Sequence, residues 1–223
     1  MSPDRHNHHI VIIPTLGDTG KACAPLAKRL EAEGLTVNLF AYPTREWTID
    51  HAALSLASHV DREVVAGAAD RSVSFVGIGT GSLIARYYLS HYELLPARRC
   101  VVVADASHPS DRYRSKRPGW LARRRYGVML SQLAEGPAGF ASSCGVPPVP
   151  YGVIVCNAAM PAGTDTHDHE VSRDSLYAPP YLLKDALASH YCPEKCEKAV
   201  RKPQTLDYII QFLRFGYFRG NNA

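Results

Sequence analysis

Short apolar runs punctuate the chain, and most are followed by a segment whose apolar residues return every three to four positions. His9–Ile13, Leu35–Tyr42, Ser72–Gly77, Cys100–Ala104 and Tyr151–Asn157 have the length and composition of buried strands. Between them, Leu26 and Leu30 give an inward face to a helix that Asp18 or Thr19 can cap and Gly34 can end. Ala53, Leu56, Ala57, Val60 and Val64 form a stripe of helical period, so residues 48–66 are expected to be helical. Leu83–Leu89 continues as a helix after a glycine turn, and Leu206, Ile209, Ile210 and Leu213 mark an amphipathic closing helix. Strands alternating with helices predict an α/β fold: a mostly parallel sheet of at least five strands with helices on both faces. Its functional loops then follow the strands, starting near Pro14, Pro43, Gly77, Asp105 and Ala158.

The 223 residues fit one domain over 1–223. The stretch 105–150 interrupts the alternation between strands four and five, and is expected to lie over the sheet edge as a basic cap with a helix near Val128–Leu133. A hydrophobic fraction of 46% and a charged fraction of 21% are those of an ordinary globular protein. No apolar run approaches the roughly 20 residues of a membrane-spanning helix, so no transmembrane segment is expected. No signal-like apolar region precedes the first strand, which places the expected location inside the cell, in the cytosol or an organelle such as the mitochondrion.

Charge changes this picture at one place. The formal net charge is +4, yet residues 98–125 hold nine Lys and Arg against Asp105 and Asp111, a local +7 that leaves −3 elsewhere. Arg112, Arg114, Lys116, Arg117, Arg123, Arg124 and Arg125 are the expected partner-binding residues. The partner classes they fit are an acidic protein face within a larger complex, anionic lipid, or nucleic acid through the interleaved Tyr113, Trp120 and Tyr126. A solvated surface loop is the plain alternative.

The six cysteines are scattered, and Cys100 and Cys156 lie inside apolar runs as small hydrophobes. Cys192 and Cys196, four residues apart, can close a local disulfide or share a metal, but no second cysteine pair completes a zinc site. Asp165, His167, Asp168, His169 and Glu170 form a ligand-rich run, as do His6, His8 and His9; a solvated loop explains the first, the N-terminal histidines are expected at the surface, and neither a metal nor a cofactor is expected.

The most informative segment is Ser72–Leu83, which reads strand, tight turn, helix start. Gly77, Gly79 and Gly81 stand where G-x-S-x-G places Gly, Ser and Gly. Gly77-Ile-Gly-Thr-Gly-Ser-Leu-Ile-Ala-Arg-Tyr-Tyr88 resembles the elbow G-H-S-L-G-G-L-I-A-R-Y-Y of the lipase/esterase branch of the α/β-hydrolase superfamily. Ile12–Gly17 resembles the V-H-G-L-G loop that helps form the oxyanion hole, and Gln211–Gly216 the closing helix. By this resemblance, Asp168 stands for the acid, with Asp165 a competitor slightly out of frame, His190 for the catalytic histidine, and Thr15, Leu16 and Thr80 for the oxyanion loop.

The departures bear on chemistry. Glycine at position 79 offers no nucleophile for a triad. Pro14-Thr15 replaces His-Gly, removing one N–H and adding a branched side chain, and Asp18 brings negative charge of the wrong sign for an oxyanion. No catalytic residues are therefore expected; Gly79, Asp168 and His190 are relict positions. The reading that follows is a catalytically inactive α/β-hydrolase-like protein serving as an accessory subunit of a larger, organellar assembly. The alternatives are a hydrolase relative that uses His190 and Asp168 for proton transfer, and a module that binds lipid or another small ligand above Gly79.

Overall fold

The computed structural model describes residues 8–65, 72–92, 97–105, 120–133, 140–157 and 180–218. Six strands form one parallel sheet: β1 (His8–Ile13), β2 (Thr36–Leu39), β3 (Ser72–Ile78), β4 (Ala97–Asp105), β5 (Tyr151–Cys156) and β6 (Ala188–Cys192). Their spatial order is β2-β1-β3-β4-β5-β6. The chain thus steps from β1 to one side, then returns to the other side of β1 with β3. Between the carboxyl ends of β1 and β3 lies the topological switch point, where loops diverge and open sheets of this kind place their sites.

Helices cover both faces. α1 (Ala24–Ala32), α6 (Cys196–Ala199) and α7 (Pro203–Phe215) cover one; α2 (Ile49–His59), α3 (Thr80–His91), α4 (Trp120–Leu133) and α5 (Pro180–Lys184) lie on the other. Alternation within the strands explains the two-sided core. Val11, Phe75, Val102 and Val153 face α2 and α3, whereas Ile10, Val76, Val101 and Ile154 face α1 and α7.

The helical stripe over 48–66 appears as α2 continued by a π-helical turn, Val60–Val65. Gly34, at φ +79, ends α1, as its position indicated. Asp18 does not cap α1: its carboxylate accepts N–H bonds from Gly20 and Ala22, and Cys23 precedes the helix instead. The wrong-sign charge inferred for the oxyanion loop is accordingly bound up in a local turn.

The inserted stretch is described over 120–133 and 140–150. The expected helix near Val128–Leu133 is the second half of α4, which breaks at Gly127 where the backbone approaches the Arg45 carbonyl. Met129 and Leu133 are buried in the core, and the Gln132 amide accepts from the Ile49 N–H at 2.7 Å and donates to Asp50 at 3.1 Å. This half of the insertion belongs to the body of the domain.

Basic residues of the 98–125 stretch divide. Arg99 is turned inward, donating to the Leu213 and Arg214 carbonyls at 2.7 and 3.1 Å, where it satisfies the carboxyl end of α7. Arg124 is exposed on α4. Arg112, Arg114, Lys116 and Arg117, and the side chains of Arg123 and Arg125, lie outside the described residues.

Candidate functional site

At the switch point, β3 ends in Ile78, a single residue turns the chain, and α3 starts at Thr80. That residue, Gly79, has φ 54 and ψ −120. These are the angles of the first central residue of a type II′ turn, a region that favours glycine. The turn is fixed by the Gly79 N–H donating to the Val103 carbonyl at 2.8 Å, and by the Ser82 hydroxyl donating to the Gly79 carbonyl at 2.6 Å. The flanking glycines answer to space. A Cβ at Gly81 would collide with the Ile13 and Pro14 carbonyls, and one at Gly77 would lie 2.8 Å from the Gly81 oxygen. The first turn of α3 therefore rests directly on the ends of β1 and β3.

Gly79 differs from its neighbours in what it faces. A Cβ there would lie 2.9 Å from the Thr15 Cβ and closer still to its Oγ1. The Thr15 side chain, carried on the loop after β1, fills the space that a side chain at position 79 needs. Its hydroxyl also accepts the Thr80 N–H at 3.4 Å. That N–H opens α3, where the positive end of the helix dipole favours an anion. Beside it the Pro14 carbonyl is held by the Tyr42 hydroxyl at 2.9 Å. Leu16 is half-buried and packs against the core.

His190 does not join this site. It lies inside β6, two residues before the strand ends, and pairs in register with Ile154 of β5. Ile154 is in register with Val103, and Val103 with Ile78. Three strand spacings, about 14 Å, separate His190 from the elbow strand. The ring faces α7, with its centroid 4.1 Å from that of Tyr208. Burial there holds its pKa below the ordinary histidine value. The short strand Ala188–Cys192 has mixed polarity and is not among the strands expected from the apolar runs. Asp168, with Asp165, His167, His169 and Glu170, lies outside the described residues. The described N-terminal histidines are buried: His8 bonds the Ser74 hydroxyl at 2.8 Å, and Asn38 bonds His9 at 3.3 Å. Among the described residues no group of three or more His, Cys, Asp or Glu is arranged to hold a metal, and no helix is long and apolar enough to cross a membrane.

Sequence reasoning passed over Arg86. Fully buried on α3, it donates to the Gly145 carbonyl at 2.9 and 2.8 Å and to the Tyr181 hydroxyl at 3.1 Å. It ties the elbow helix to the inserted stretch and to α5. An open cleft of about 710 Å³ lies elsewhere, at the β2 edge, lined by Leu39, Trp47, His59 and Arg62 among others.

The fold as a whole has counterparts among solved structures. Residues spanning 95% of the chain match 94% of a Bacillus licheniformis lipase with a TM-score of 0.64 at 14% identity. The thioesterase domain NocB of the nocardicin cluster gives 0.62 at 14% identity, over 93% of this chain and 94% of that one. A Pyrococcus furiosus esterase gives 0.57 at 14% identity, over 95% and 82%.

The fold is that of the α/β-hydrolases.

No protein-family model and no curated protein matches the sequence. At such identities the likeness speaks for the fold, and the chemistry rests on the residues of this chain.

Proposed function

We propose that this chain is an α/β-hydrolase-fold protein that has given up serine-hydrolase chemistry and acts as an interaction subunit of a larger assembly. The observation that carries the reading is Thr15. Its side chain occupies the space a nucleophile would need, and its hydroxyl takes the N–H that an oxyanion would use. A merely missing serine leaves an open cleft; here a neighbouring residue fills the position. His190 is turned toward Tyr208, away from the turn at Gly79. The basic stretch, with Arg124 exposed on α4, is the surface we assign to a partner with an acidic face.

Gentle native purification followed by mass spectrometry tests the reading. Co-purification of the same protein partners, lost when Arg123, Arg124 and Arg125 are changed together to Glu, supports it. Recovery as a free monomer counts against it.

A second reading keeps hydrolysis. Solved structures with this fold include a lipase, an esterase and thioesterases, matched over nearly the whole chain. It requires turnover of short acyl esters or thioesters by the wild-type protein, with or without labelling by a fluorophosphonate probe. Turnover that survives removal of contaminating enzymes, and disappears on His190→Ala, would replace the first reading with this one.

A further inference from the structure

Three of the six cysteines converge at the carboxyl edge of the sheet, on the face covered by α6 and α7. Cys156 ends β5, Cys192 ends β6, and the two are register partners in adjacent parallel strands. Side chains in register point to the same face, and neighbouring strands run about 4.8 Å apart, inside the Cα separation of about 4.4–6.8 Å that a disulfide spans. Cys196 opens α6 and lies over the same spot; its thiol donates to the Val103 carbonyl at 3.6 Å. The Cys156 thiol lies within hydrogen-bond reach of Cys192 and Cys196 and, at 4.0 Å, of the Ile154 carbonyl. All three are reduced and buried, with Cys192 the most accessible at 6%.

The surroundings of the three sulfurs differ. Cys192 gathers donors: the Cys156 thiol, the Glu194 N–H and the Thr205 hydroxyl. They stabilise a thiolate against the cost of burial and bring its pKa down to about 6. Cys156 is held well above the ordinary thiol value by its bonds to the two other cysteines and by burial. One sulfur is thus prepared to attack, and its hydrogen-bond partner is a protonated thiol in disulfide range. Cys23, Cys100 and Cys144 are buried thiols whose pKa values are raised, to about 12, 12 and 11 respectively, which makes them poor nucleophiles.

We propose that Cys192 and Cys156 form a peroxide-reactive thiol pair, with Cys192 the attacking sulfur and Cys156 the resolving one. The Cys192 thiolate attacks one oxygen of hydrogen peroxide, the O–O bond breaks, and the departing hydroxide takes a proton from solvent to become water. Cys192 is left as a sulfenic acid. Cys156 then gives up its proton and attacks the Cys192 sulfur; the S–O bond breaks, and the hydroxyl leaves with that proton as a second water. Two thiols have lost two electrons to one peroxide. The product is a disulfide between the ends of β5 and β6, and a thiol reductant restores the starting state. Cys196, whose thiol is committed to the Val103 carbonyl, stays reduced.

The sequence drew attention to Cys192 and Cys196 as a local pair; the fold replaces Cys196 with Cys156, which lies 36 positions upstream of Cys192 and cannot be paired with it by spacing.

The test treats the folded full-length chain with a small excess of hydrogen peroxide. Remaining thiols are then alkylated and the protein is mapped without reduction. A peptide linking Cys156 to Cys192 is expected, with two of the six thiols lost and both regained on adding dithiothreitol. It should form at least about tenfold faster than oxidation at Cys23, Cys100 or Cys144. Cys192→Ser abolishes the link and Cys196→Ser preserves it. The wild-type map decides the matter even if a serine variant folds poorly. A Cys192–Cys196 or Cys156–Cys196 link overturns the assignment, as does oxidation elsewhere while Cys192 remains alkylatable. So does a chain that purifies with stoichiometric zinc on these thiols.

Discussion

Replacing Gly79 with alanine measures directly how tightly Thr15 packs against the turn at Gly79. Two costs meet at one methyl group. The backbone angles, φ 54 and ψ −120, lie where an L-residue is strained by about 1–3 kcal/mol. The new Cβ also lies 2.9 Å from the Thr15 Cβ. Rotating χ1 of Thr15 moves its hydroxyl aside but leaves that Cβ in place, so backbone must shift by about half an ångström to reach ordinary contact; overpacking of this kind costs about 1–3 kcal/mol. Together they predict a loss of about 3–4 kcal/mol for Gly79→Ala, and the same for Gly79→Ser, because the collision is at Cβ and not at the hydroxyl. A domain stable by about 5–15 kcal/mol survives this, and urea unfolding resolves it. Thr15→Gly in the same chain removes the collision and leaves the strain. The double-mutant cycle should therefore show a favourable coupling of about 1–2 kcal/mol between positions 15 and 79. If the two changes add to within about 0.5 kcal/mol, or if Gly79→Ala unfolds with the wild type, Thr15 does not fill the site and the reasoning fails.

Other consequences are as accessible. Gly79→Ser combined with Thr15→Gly should remain unlabelled by a fluorophosphonate probe, because His190 lies three strands away against Tyr208; strong labelling would show that another base reaches the elbow. Arg86→Ala should cost about 2 kcal/mol in urea unfolding, since it strips charged hydrogen bonds from the half-buried Gly145 carbonyl; an unchanged midpoint would mean that α3 does not depend on this tie. His8 is buried and neutral, and burial followed by the charges of Arg98, Arg99 and His9 lowers its pKa from 6.5 to about 4. The unfolded chain takes up this proton first. The contribution is thus complete above pH 6.5 and is lost as pH falls toward 4, by about 2 kcal/mol after allowance for solvent screening. His8→Gln should flatten that part of the stability–pH curve, and an identical curve in the variant would assign the dependence to other groups.

Most of the fold was legible because its signals are local. An apolar run such as His9–Ile13 cannot be solvated on either face, and the stripe from Ala53 to Val64 fits one side of a helix. Three glycines at alternate positions after a strand likewise announce a sharp turn, whatever the chain does afterwards. These features depend on neighbours in sequence, so the α/β class and the glycine turn between β3 and α3 were determined by the string of residues alone.

What the residues do to each other across the sheet was not. Thr15 and Gly79 are 64 positions apart, and nothing in either segment says that one fills the other's space; parallel pairing of β1 with β3 creates that contact. His190 stood for the catalytic histidine by resemblance, but hydrogen bonding to β5 makes its segment an edge strand and aims the ring at Tyr208. Cys156 and Cys192 meet through the same pairing, while the nearer Cys196 bonds a different strand. Register and face follow from which strands lie side by side, a choice made by long-range burial. That is why the glycine at position 79 could be read from sequence, while the threonine side chain packed against it required the assembled sheet.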